Sequence, residues 1–186
     1  MPKLTQQIIL PLLLTVFLLT GCQSTGNIKT NQIIIEPPKP LIVIDAGHQA
    51  KGDPSQEPLY PGTKQFKTKV SSGTSGVVSR IPEHEINLSV ALKLEKNLQR
   101  AGYRVIMIRR QASINISNKE RAELANNAQA DLFIRLTGFN WSRVPTILVE
   151  MGYMSNPEED NLLSKPEHQE KLAKTISEGL LNYFQR

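Results

Sequence analysis

Leu41-Ile42-Val43-Ile44-Asp45-Ala46-Gly47-His48 is the stretch that decides how this chain folds. Four apolar residues, three of them β-branched, run straight into Asp-Ala-Gly-His. A run this short and this β-rich reads as a strand buried on both faces. Gly47 lets the backbone turn sharply. His48 is then delivered at the strand's C-terminal end, which is where open α/β sheets bind their ligands. A histidine in that place is a candidate metal ligand.

Outward from this strand, the chain alternates strand and helix signals. Residues 49–82 are rich in Gly, Pro and Ser and read as one long irregular segment, favoured as a loop lining a substrate site. Glu83 opens a helix in which Leu88, Ala91, Leu94 and Leu98 recur at helical spacing, with Gly102 where a C-terminal cap belongs. Residues 103–108 read as the next core strand. Ser117 and Glu120 have capping-box spacing at the start of a helix. Residues 131–136 and 146–151 are two further strands. Asn156-Pro157 starts a short helix, and a final amphipathic helix covers about residues 166–184. This order specifies an α/β domain over residues 41–186, a mostly parallel sheet flanked by helices.

The 186-residue length holds one such domain plus an N-terminal extension. The formal charge is +5, and removing residues 1–21 takes away Lys3 and no acid, leaving +4. This modest excess suits an anionic wall or lipid surface. With no dense Lys/Arg cluster and few aromatics, it carries no nucleic-acid footprint. Lys3 precedes an apolar run over residues 8–19 that suits the hydrophobic region of a signal peptide. Leu19-Thr20-Gly21-Cys22 resembles a bacterial lipoprotein signal, which implies cleavage before Cys22 and lipid attachment to its sulfur; an ordinary signal peptide with an incidental cysteine is the alternative. Either reading places the mature chain outside the cytoplasm. Residues 22–40, polar and Pro-rich at their end, read as a tether, with Ile33-Ile34-Ile35 a candidate edge strand. The only cysteine excludes an internal disulfide and any multi-cysteine zinc site.

Two acids join His48 as candidates. Glu83, at a helix start, is either a metal ligand or simply favourable with the helix dipole. Glu150 ends an apolar strand expected to be buried, where a carboxylate is costly without a partner; a metal-linked general base and a structural ion pair are both open. One His, one Glu and a second Glu as base are parts of a zinc hydrolase.

The segments Ile42-Val43-Ile44-Asp45-Ala46-Gly47-His48, Glu83-x-x-Ile86-Asn87-Leu88, Ala130-Asp131-Leu132-Phe133-Ile134 and the run from Val144-Pro145 to Ser155-Asn156 occur in that order. Together they resemble the zinc-dependent N-acetylmuramoyl-L-alanine amidases of the autolysin and spore-wall type, with an amidase/phosphorylase-like fold. The resemblance implies that His48 and Glu83 are zinc ligands, that Glu150 is the catalytic carboxylate, and that the substrate is peptidoglycan. The bond cut would be the amide between N-acetylmuramic acid and L-alanine. A monomer anchored to the membrane through lipidated Cys22 is the implied arrangement.

The pattern breaks in one place. The family has a third ligand, a His within a Ser-Ile-His-Ala-Asn-like motif, but here Thr137 stands at that position. Several dozen residues that should separate the motif from Val144-Pro145 are missing as well. The connection over residues 137–145 is shorter than the dozen or more residues a parallel crossover usually needs. It is therefore a poor link between adjacent parallel strands. An internal deletion near Leu136/Thr137, removing one strand and one helix, accounts for both. His84, about 100° around the helix from Glu83, is a weak substitute ligand, and His168 reads as solvated or capping. Asp45 either orients His48 or stabilises its own turn. Three outcomes follow: an active amidase, a wall-binding lipoprotein without turnover, or a poorly folded product with exposed apolar edges.

Overall fold

A computed structural model describes residues 38–136 and 141–185. The signal segment, Cys22, the Ile33-Ile34-Ile35 patch and Thr137 lie outside the described residues. In chain order the elements are β1 (Leu41–Asp45), β2 (Asp53–Pro58), β3 (Phe66–Val70), α1 (Glu83–Arg100), β4 (Arg104–Met107), α2 (Asn118–Asn127), β5 (Leu132–Arg135), β6 (Thr146–Leu148), α3 (Pro157–Leu163) and α4 (Pro166–Phe184).

β1 is buried along its whole length. It is the centre of a parallel sheet of order β4-β1-β5-β6. Its register sets Ile42 opposite both Val105 and Leu132, and Ile44 opposite Met107 and Ile134. Alternate side chains leave on opposite faces. Ile42, Ile44, Leu132 and Ile134 therefore pack with Val90, Leu94 and Leu98 of α1 and Ala173 and Leu180 of α4. Val43 and Phe133 point the other way and pack on Ala122 and Ala125 of α2. Each of the buried Val, Leu, Ile and Phe side chains contributes about 1.5–3 kcal/mol of burial. The chain leaves β1 toward β4 and returns past it to β5, so the strand order reverses between β1 and β5. Their C-terminal ends form the crevice where this architecture places a ligand.

The helix signals hold residue by residue. Ser117 accepts from Glu120 N–H while the Glu120 carboxylate accepts from Ser117 N–H, closing the capping box of α2. Asn156 caps α3 through Glu158 N–H, ahead of Pro157. Gly102, at φ 84°, follows α1 in the left-handed region its cap requires.

Three expectations need correction. First, residues 49–82 are not wholly irregular, because β2 and β3 pair as an antiparallel ribbon. Buried Glu57 ties this ribbon to α2 by accepting from Lys67 Nζ and, at 3.3 Å, from Lys119 N–H. Second, β5 and β6 are adjacent and parallel, with Ile134 opposite Ile147. Ten residues suffice because β6 has only three residues, so the chain returns a short distance; fully extended, ten residues reach about 33 Å. No crossover helix is needed. The Asn126 side chain instead holds the connection to α2, donating to the Trp141 carbonyl at 3.0 Å and accepting from Arg143 N–H at 2.7 Å. Third, Glu150 is exposed rather than buried, since β6 ends at Leu148 on the sheet's edge. Ile147 and Leu148, 37% and 36% exposed, keep apolar surface at that edge.

Asp45 is fully buried and holds this architecture together. Its carboxylate accepts from Gly47 N–H at 3.0 Å, from Arg121 Nη1 at 2.6 Å and from Arg135 Nε at 3.0 Å. It thus joins β1, its own turn, α2 and β5. Burial alone would raise its pKa, but the two guanidinium charges and the Gly47 amide hold it below the ordinary 3.8. Its stabilising contribution is therefore complete above pH 3.8 and is lost as pH falls through the lowered folded value. Asp45→Asn leaves two arginines buried without their counter-charge. It should cost about 3–5 kcal/mol in urea unfolding followed by Trp141 fluorescence, and should flatten the acid limb of stability against pH.

Candidate active site

His48 follows the β1 turn with φ 36°, after Gly47 at φ 63°. Left-handed backbone at a non-glycine residue costs of order 1–3 kcal/mol and persists where surroundings enforce it. Two buried arginines do so here. Arg121 Nη2 donates to the His48 carbonyl at 3.1 Å, and Arg109 donates to the Gly47 carbonyl through Nε at 3.1 Å and Nη2 at 2.8 Å. Arg109 Nη2 also reaches the His84 carbonyl at 2.8 Å. One guanidinium therefore fixes the turn that carries His48 against the helix start that carries Glu83. Burial, and the charge of Arg121, lower the Arg109 pKa to about 10, so it stays charged at neutral pH.

The imidazole and the Glu83 carboxylate face each other, with His48 Nε2 3.2 Å from Glu83 Oε1. His48 Nδ1 lies 3.0 Å from the Ser71 carbonyl, which can only accept, so Nδ1 carries a proton and Nε2 points at Glu83. The Thr74 N–H donates to Glu83 Oε2 at 2.9 Å. The segment Ser71–Thr74 thus orients both side chains. Gly73, at φ 83°, is needed there: a Cβ would come within 2.8 Å of Glu83 Oε2 and 3.0 Å of His48 Cγ. Burial would lower the His48 pKa, but the hydrogen bonds to Glu83 and Ser71 raise it above 6.5. Burial would raise the Glu83 pKa, but the contacts with His48 and the Thr74 amide lower it below 4.5.

A neutral imidazole and a carboxylate so placed present lone pairs to one another. A proton or a metal cation between them removes that repulsion. Two ligands on one tetrahedral zinc stand about 3.4 Å apart, so the His48–Glu83 spacing fits two corners of such a site. Among the described residues, no group of three His, Cys, Asp or Glu side chains is arranged to hold a metal.

Glu83 and Glu150 both line one small cleft, with Asn87, Leu136, Gly152 and Met154; His48 is not among its lining residues. Its volume is about 30 Å³, room for a water-sized group. His84 is buried on another side of α1 and does not line this cleft. His168, half-buried in α4, does not line it either. Asp45 stabilises the turn and pairs with arginines; the Ser71 carbonyl, not Asp45, orients His48. Sequence reasoning gave no role to Arg109 and Arg121, named Asn87 only as part of a motif, and reached Ser71 and Thr74 only as members of a loop expected to line the site.

A family model described as N-acetylmuramoyl-L-alanine amidase matches residues 42–137 and 135–182. The germination-specific N-acetylmuramoyl-L-alanine amidase of Bacillus subtilis (strain 168) is 50% identical over 40 residues, 22% of this chain. The matched stretch spans only 17% of that relative's length. The fold is that of the apo N-acetylmuramyl-L-alanine amidase Ami1 from Mycobacterium abscessus, at TM-score 0.70 and 18% identity over 80% of this chain and 100% of that one. Ami1 from Mycobacterium smegmatis gives TM-score 0.69 at 20% identity, over 78% of this chain and 97% of that one.

In metal-free protein, Glu83→Gln should lower the His48 pKa in an imidazole NMR titration, because it removes the hydrogen bond and charge that oppose burial. The raised His48 pKa contributes stability that is complete below pH 6.5 and lost as pH rises through the folded value; that loss should vanish in the variant.

Proposed function

The chain belongs to the N-acetylmuramoyl-L-alanine amidase family, and from that premise we propose that it acts on peptidoglycan as an amidase with a weakened zinc site. His48 and Glu83 would hold the metal. The observation that carries this reading is their 3.2 Å approach at the strand-end crevice, with Glu83 also lining a small cleft together with Glu150. Zinc, when bound there, supplies Lewis-acid polarisation of the amide carbonyl and of a water. The residues do the rest. Ser71 keeps the His48 proton on Nδ1, leaving Nε2 free to coordinate. The Thr74 N–H holds Glu83 in place, and Gly73 leaves the room its carboxylate needs. Glu150, as general base, takes a proton from the attacking water and returns it to the leaving alanine nitrogen as general acid.

Two features support a weakened site. Thr137 occupies the position where the family carries its second histidine ligand. The β1–β5 junction also buries two arginines against one aspartate, and Arg121 opposes positive charge at His48. The family model meets this chain as two pieces joined at residues 135–137, which supports an internal deletion there. The same features favour a second reading, a wall-binding protein without turnover. We further propose that residues 1–21 are a signal peptide, that Cys22 carries the lipid, and that residues 22–40 tether a monomeric domain at the envelope.

Digestion of purified peptidoglycan tests the assignment. New alanine amino termini should form, chelation should abolish them, and Glu150→Gln should slow release by about 10²–10⁴-fold. Thr137→His should raise zinc affinity and release together. Wall pull-down with no release, even from Thr137→His, would select the second reading.

A further inference from the structure

Asn87 sits one helical turn beyond Glu83, on the same face of α1. It is 3% exposed and lines the cleft shared by Glu83 and Glu150. Its Nδ2 has no hydrogen-bond partner. The amide helps keep the Glu83 carboxylate ionised, yet closes no hydrogen bond to it. Buried amide donors are almost always paired, so an unpaired donor on a residue that lines a cleft beside Glu83 points to an acceptor supplied from outside. The cleft's size restricts that acceptor to a single small group. Its chemistry restricts it further: the other polar side chains lining it are two glutamates, which repel an anion, and the remainder is mostly apolar (Ile86, Leu136, Val149, Met154). A neutral carbonyl oxygen satisfies both conditions.

We propose that Asn87 is a substrate-binding residue whose Nδ2 donates to the carbonyl oxygen of the amide presented to Glu150. This rests on the amidase reading of the site. The donor becomes more effective as the carbonyl oxygen gains negative charge during attack, so it also favours the tetrahedral state. No proton is transferred through it.

The test uses the full chain with N-acetylmuramoyl-L-alanyl-D-isoglutamine as probe and N-acetylmuramic acid, which keeps its N-acetyl group but lacks the muramoyl–alanine amide, as control. The Asn87 side-chain amide resonance should move on adding the probe and stay still with the control. Asn87→Leu removes the donor at similar volume and should weaken probe binding about tenfold, the worth of one hydrogen bond, with thermal stability equal or higher. Asn87→Asp, which keeps the shape and replaces donor with acceptor, should weaken it further. Probe binding that survives in both variants, with the Asn87 resonance unmoved, overturns the proposal and leaves the amidase reading intact. A wild-type chain that does not bind the probe overturns both.

Discussion

Asp45 is the constraint on which the other features depend. A carboxylate with no exposure, between Arg121 and Arg135 and capped by the Gly47 amide, ties the central strand to its neighbour, to α2 and to the turn that presents His48. Such a cluster is stable only when complete, since any missing partner leaves a buried charge. Arg121 and Arg109 then carry its rigidity outward to the His48 and Gly47 carbonyls. The left-handed backbone at His48 is affordable because these guanidiniums hold it. The site therefore inherits its geometry from the core.

The same cluster limits the chemistry. Two guanidiniums against one carboxylate leave excess positive charge beneath the crevice, relieved only in part by Glu57. A dication at His48 and Glu83 meets that field in a medium less polar than water. On the proposed reading, closing a zinc site here would take more from its ligands, and the family resemblance places Thr137 where a further histidine is expected. Fold and metal site have separate requirements. β5 and β6 can pair across a ten-residue connection, because a sheet asks only for backbone register, whereas a coordination sphere asks for particular side chains.

What could be read from sequence follows from which forces leave a local signature. β1, the α2 capping box, the Asn156-Pro157 start of α3 and the span of α4 rest on short-range chemistry, and the structure has them where the residues indicate. The β2–β3 ribbon was missed because Asp53-Pro54-Ser55-Gln56-Glu57-Pro58 has neither alternation nor β-branched residues; it is a largely exposed ribbon, pinned by Glu57 and by the one buried apolar residue Val70. The burial expected of Glu150 failed because an apolar run does not reveal that its strand lies at an edge. His48 and Glu83 were legible from the residue types at a strand end and a helix start. Asn87 and Arg109 were not, because their significance lies in one unpaired donor and in two carbonyls distant in sequence.

The central claim is a zinc site built on His48 and Glu83 with no second histidine. X-ray absorption spectroscopy at the zinc edge of the zinc-loaded chain measures this directly, by counting imidazole ligands. The account predicts one imidazole, with light oxygen donors filling the remaining positions, and loss of the imidazole signal in His48→Ala. Two imidazoles, or a spectrum unchanged by His48→Ala, would contradict it.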